Sequence, residues 1–160
     1  MCFWKNLAKF VGMKQSIDFL PERKQRDLHE LVGLIRDEVK DVVMIILYGS
    51  YARNTYVELD IRRDYGGGKI QYMSDYDILV VSKKRLGSRT VTVSSRVKSS
   101  FLKNKNADTQ TRPQIINESI TKFNNALSEG RYFYVDILTE GIVLYDSGEC
   151  QLATPCELNY

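Results

Sequence analysis

Two short segments constrain this chain more than any other part of it. Leu47-Tyr48-Gly49-Ser50-Tyr51-Ala52-Arg53 closes one apolar run, and Ser74-Asp75-Tyr76-Asp77-Ile78-Leu79-Val80-Val81 opens another. Val, Ile and Leu runs of roughly four to eight residues read as strands buried on both faces. Val42–Tyr48 and Asp75–Val81 are therefore interior strands. Each carries polar chemistry at one end, and together the ends suggest a single site.

Asp75 and Asp77 are one residue apart. On a strand that spacing puts both carboxylates on one face, roughly 6.5 Å apart along the backbone. At that separation they repel by about 2–3 kcal/mol at an effective dielectric near 20. A divalent cation relieves the repulsion, and Mg²⁺ takes oxygen ligands while keeping places for water and phosphate. Gly49 permits a tight turn and a close backbone approach. Amides following it at a helix start attract anions, Ser50 adds a hydroxyl donor, and Arg53 a charged one. The expected ligand is a nucleoside triphosphate held at Gly49, Ser50 and Arg53, with the metal held by Asp75 and Asp77.

The rest of the chain frames these motifs. Pro21-Glu22 opens a helix whose stripe is Leu28, Leu31, Val32, Ile35 and Val39. Residues 51–56 fit one or two helical turns. Val57–Tyr65 and Lys69–Tyr72 flank Gly66-Gly67-Gly68, the signal of a hairpin. Gly68-Lys69 is no phosphate loop of the Walker type, because the spacing is absent and Ile70 stands where a hydroxyl is needed. Val93, Val97 and Phe101 predict an amphipathic helix within a basic stretch from Lys83 to Lys105. A strand over 114–119, a helix over 120–127 capped by Gly130, and a strand over 142–145 follow. Tyr132–Thr139 fits helix and strand equally.

Composition excludes several classes. At 160 residues, 43% apolar and 27% charged, the chain reads as one ordinary soluble domain. Residues 1–19 read as an N-terminal extension, 20–148 as the domain, and 149–160 as a tail. The run Val42–Leu47 is too short to span a bilayer, and Lys5 and Lys9 break any signal-peptide core. A net charge of +3 is too mild to argue for nucleic acid. The basic stretch has little aromatic interleaving for base stacking. Cys2, Cys150 and Cys156 lack metal-like spacing and read as free thiols in a reducing cytoplasm. His29, the single histidine, falls on a helix surface, so a His-based catalyst or zinc site has no material here.

The motif pair resembles the signature of the DNA polymerase β-like nucleotidyltransferase superfamily, and most closely its minimal nucleotidyltransferases. Those domains accompany helical HEPN domains in bacterial toxin–antitoxin systems. Leu20-Pro21-Glu22-Arg23, Glu129–Phe133 and Glu140–Tyr145 add to the likeness, which runs from about Leu20 to Gly148. It implies an α/β fold with a small mixed sheet and helices packed mainly on one side. It implies that Gly49 and Ser50 bind the β- and γ-phosphates, that Asp75 and Asp77 coordinate Mg²⁺, and that a nucleoside monophosphate, AMP from ATP, passes to a hydroxyl on a partner protein or small molecule. Many such enzymes draw a third acid from a later strand. Here that position falls near Gln114, and the nearest carboxylates are Glu118 and Asp136. The alternative is a weakly active or inactive fold that acts by binding a toxin partner.

Overall fold

The structure, a computed structural model, describes residues 13–155. Most of the expected N-terminal extension, the last five residues of the expected tail, and Cys2 and Cys156 lie outside the described residues. The elements in order are α1 (Glu22–Glu38), β1 (Val42–Tyr48), α2 (Gly49–Arg53), β2 (Asp60–Arg63), β3 (Lys69–Tyr72), β4 (Tyr76–Ser82), α3 (Arg89–Leu102), β5 (Pro113–Ser119), α4 (Ile120–Ser128), α5 (Tyr132–Glu140) and β6 (Ile142–Asp146).

Four strands form a mixed sheet in the order β5-β4-β1-β6. β1 runs antiparallel to β4 and β6, while β5 runs parallel to β4. Both apolar runs thus occupy the two central strands, where neither face meets water. Every residue of β1 from Val42 to Leu47 is buried. The fold is α/β with a small mixed sheet, as expected.

Alternation along the central strands divides the core in two. Ile45, Leu47, Ile78 and Val80 point to one face, where Leu28, Leu31 and Ile35 of α1 meet Val93, Val97 and Phe101 of α3. Met44, Ile46, Leu79 and Val81 point to the other, under Phe123 and Leu127 of α4 and Ile137 and Leu138 of α5. The two long helices share the first face, and two nine-residue helices cover part of the second. The stripe read for α1 is buried at Leu28, Leu31 and Ile35, while His29 is exposed.

Local chemistry explains the element ends. Ser119 caps α4, its Oγ accepting from the Lys122 amide at 3.2 Å. The Asp64 carboxylate accepts from the amides of Gly66 and Gly68 at 2.9 and 2.6 Å, closing the turn between β2 and β3. That hairpin is a separate two-stranded sheet. Its base is pinned where Ser74 Oγ accepts from the Val57 amide at 2.9 Å and the Ser74 amide donates to the Val57 carbonyl at 2.9 Å.

Part of the basic stretch is answered within the chain. Lys105 Nζ lies 2.9 Å from Glu30, Arg96 3.5 Å from Glu38, and Lys83 2.7 Å from Glu149. No described helix is long and apolar enough to cross a membrane.

Candidate active site

β1 ends at Tyr48, and the chain turns at Gly49 into the single short helix α2. Gly49 has φ +73°, in the left-handed region. A Cβ there would stand 3.1 Å from Asp77 Cγ and overlap one of its carboxylate oxygens. Glycine is therefore needed for two reasons: the backbone conformation, and the space taken by the Asp77 carboxylate. The end of the first motif and the acid of the second are in contact.

The register explains the meeting. Tyr48 is the cross-strand partner of Asp77, so both point to the face that α4 and α5 cover. Asp75 lies outside the strand. β4 begins at Tyr76, so Asp75 sits exposed on the approach to it, whereas both acids had been expected within the strand. It nevertheless acts on its neighbour. Burial raises the Asp77 carboxyl above the usual aspartate range, Asp75 raises it further, and Arg53 pulls it down. Burial, with the nearby Asp77 carboxylate, pushes the Tyr48 hydroxyl up to about 12.

Ser50 follows Gly49 and is partly buried, its carbonyl accepting from the Thr55 amide at 2.9 Å. Arg53 closes α2 and is exposed. Its Nη1 lies 3.3 Å from Glu140 Oε2 at the end of α5. The sequence reading missed Glu140, which partly occupies the guanidinium.

Tyr76 stands between the two aspartates and points to the opposite face. Its hydroxyl donates to Asp27 Oδ2 of α1 at 2.7 Å, and Gln110 Nε2 donates to the same oxygen at 2.9 Å. Tyr51 of α2 shares that side. Its hydroxyl is 3.1 Å from Thr111 Oγ1, which also accepts from Lys24 Nζ at 2.7 Å. Lys24 is 2% exposed and lies 5.3 Å over the Tyr51 ring. α1 thus grips both motifs from below through a buried polar cluster. Burial holds Tyr51 and Tyr76 above the ordinary tyrosine range and Lys24 below the ordinary lysine range.

No carboxylate joins Asp77 from β5. Gln114 is its register partner there. Glu118 lies four residues further on, about 13 Å away along the strand. It is buried beside Val81 and accepts from the Tyr134 hydroxyl at 3.1 Å. Tyr132–Glu140 is helix, which leaves Asp136 on its exposed side. Among the described residues, no group of three or more His, Cys, Asp or Glu could hold a metal ion. The donor set is the two aspartates. Asp75 is exposed, Asp77 is half-buried, and Asp75 raises the cost of charging Asp77. Such a pair suits Mg²⁺, which accepts one or two carboxylates and completes its shell with water and substrate phosphates.

The chain is similar in overall course to solved structures at low identity. One is a toxin–antitoxin with AMP-PNP, 17% identical over 75% of this chain and 73% of that one, with a TM-score of 0.43. Another is a tri-AMPylated Shewanella oneidensis HEPN toxin in complex with an MNT antitoxin, 15% identical over 78% and 74%, with a TM-score of 0.42. A third, described provisionally as a nucleotidyltransferase, comes from Sulfolobus solfataricus. It is 16% identical over 87% and 95%, with a TM-score of 0.42. No family model and no curated protein matches the chain.

Proposed function

We propose that this protein is a Mg²⁺-dependent nucleotidyltransferase that moves a nucleoside monophosphate, AMP from ATP, onto a hydroxyl acceptor. The observation that carries the reading is the contact of Gly49 with the Asp77 carboxylate, with Asp75 just ahead of it. A glycyl turn able to approach a polyphosphate and an oxygen pair suited to a hard cation occupy one corner of the sheet.

Asp75 and Asp77 hold the Mg²⁺. When bound, the ion offsets phosphate charge and supports in-line displacement at the α-phosphate. Gly49 admits the polyphosphate to the backbone, and Ser50 Oγ donates to a phosphate oxygen. Arg53 exchanges its single 3.3 Å contact with Glu140 for the phosphates, which its guanidinium can grip bidentately. The acceptor hydroxyl attacks the α-phosphorus and gives its proton to solvent water, the α–β bridging bond breaks, and pyrophosphate leaves with its electron pair.

The acceptor is a side-chain hydroxyl of a helical HEPN-domain toxin, following the resemblance of the motif pair. The setting is the cytoplasm, where Cys150 stays a free thiol.

One observation favours a second reading. Gln114 occupies the position beside Asp77 where a third carboxylate would serve as general base. A protein with two acids alone acts by covering its partner, with little or no transfer. Incubation with labelled ATP, Mg²⁺ and a purified HEPN toxin separates the two. Label on the toxin that disappears in Asp77→Asn supports transfer. A tight unlabelled complex indifferent to that substitution supports the binding module.

A further inference from the structure

The cradle accounts for a polyphosphate and a metal, and leaves the nucleobase without a seat. The sheet face that carries Asp77 ends in an aromatic group. The rings of Tyr48 and Phe133 meet edge to face, with centroids 5.8 Å apart. Phe133 meets Tyr134 in the same manner at 5.4 Å, and Tyr134 meets Phe123 of the core at 5.6 Å. Phe133 is thus braced from two sides while remaining 46% exposed. Its neighbour Tyr132 is 76% exposed. A ring held by two near-perpendicular neighbours with almost half of it open to solvent can receive another flat ring.

Position decides what that ring is. Tyr48 is the cross-strand partner of Asp77, so Phe133 lies one side chain beyond the carboxylate, on the same face. The rival aromatic is Phe19, 45% exposed, in a cleft of about 490 Å³ with Lys14, Arg53 and Asn54. That cleft is walled by Ala52, which packs in the core on the opposite face of the sheet from Asp77.

We propose that Phe133, backed by Tyr48, is the stacking platform for the nucleobase of the triphosphate. The inference rests on the phosphate cradle described above and extends it to an aromatic, sequence-tolerant base contact. Stacking selects a flat heteroaromatic ring and favours the larger surface of a purine.

Calorimetric titration with two probes, Mg²⁺·ATP and Mg²⁺·tripolyphosphate, tests it. Phe133→Ala is expected to weaken ATP about tenfold and to leave tripolyphosphate unchanged, with Phe133→Trp restoring ATP. Circular dichroism checks that the half-exposed position tolerates both changes. Equal weakening of both probes marks Phe133 as merely structural and overturns the assignment. So does an unchanged ATP affinity. Weakening of ATP by Phe19→Ala in place of Phe133→Ala also overturns it and moves the base to the cleft. A wild-type protein that binds neither probe removes the cradle itself, and the platform with it. Binding of tripolyphosphate by the wild type with no gain from the base rejects the platform alone.

Discussion

Gln114 stands beside Asp77 in the parallel register of β4 and β5, its side chain on the face that carries the carboxylate. The position is exposed, so substitution there tests the carboxylate count without disturbing the core. Gln114→Glu adds a third negative group to a pair that already repels. The expected result is a lower melting temperature without metal, tighter Mg²⁺ binding, and recovery of stability as Mg²⁺ is added. Thermal melts across a Mg²⁺ series read this directly. Indifference of both quantities would detach Gln114 from the site.

Gly49→Ala tests the close approach. It places a Cβ at positive φ, which costs roughly 1–2 kcal/mol, and pushes the Asp77 carboxylate aside. The expected outcome is a folded protein about 1–3 kcal/mol less stable with Mg²⁺·ATP binding lost. Urea unfolding and titration measure the two effects separately. Retained binding would mean that the Asp77 position does not matter.

The anchoring of β4 to α1 runs through Tyr76. Tyr76→Phe leaves the Asp27 carboxylate, 6% exposed, with Gln110 as its remaining side-chain donor. Loss of a partner at a buried charged group costs about 1–3 kcal/mol. Urea unfolding of Tyr76→Phe is expected to show that loss, and Asp27→Asn, which keeps an acceptor oxygen, a smaller one. Equal, negligible changes in both would show that the bond contributes little.

The same cluster sets a pH dependence. Tyr51 and Tyr76 are held above the ordinary tyrosine value near 10. The folded state keeps protons that the unfolded chain gives up, so their contribution is intact below pH ~10 and falls as pH rises further. Lys24 works the other way. Its folded value is depressed, so folding sheds a proton the unfolded chain retains, and stability rises with pH in the window just below its ordinary value of 10.5. Urea midpoints are expected to climb gently toward pH ~10 and then drop. Lys24→Met should abolish the climb and keep the drop. A curve identical in wild type and variant would remove Lys24 from the balance.

What could be read from the sequence follows from how far apart the determinants lie. β1 and β4 were legible because burial on both faces leaves an unbroken apolar run, and α1 because its stripe repeats locally. The glycine-turn hairpin was legible because two arms flank three consecutive glycines, Gly66-Gly67-Gly68. Tyr132–Glu140 was ambiguous because Tyr, Val and Ile suit a strand, and its helical state is settled by burial of the adjacent Ile137 and Leu138 against the sheet. The link from Lys24 to Thr111 spans 87 residues and has no local signature. Asp75 was expected inside the strand because the Asp-x-Asp period of two continues into it, yet pairing with β5 begins at Tyr76 and Pro113. In the sequence Phe133 carries no signal beyond the family likeness of Glu129–Phe133. Its exposure beside Tyr48 depends on how α5 crosses the sheet.

The most direct test of the shared cradle is calorimetric titration of Mg²⁺·ATP into wild type, Asp75→Asn and Asp77→Asn, each shown folded by circular dichroism. Saturable, Mg²⁺-dependent binding in the wild type that disappears in both variants is the expected result. Affinity unchanged by either substitution would contradict the claim that these two carboxylates and the Gly49 turn form one site.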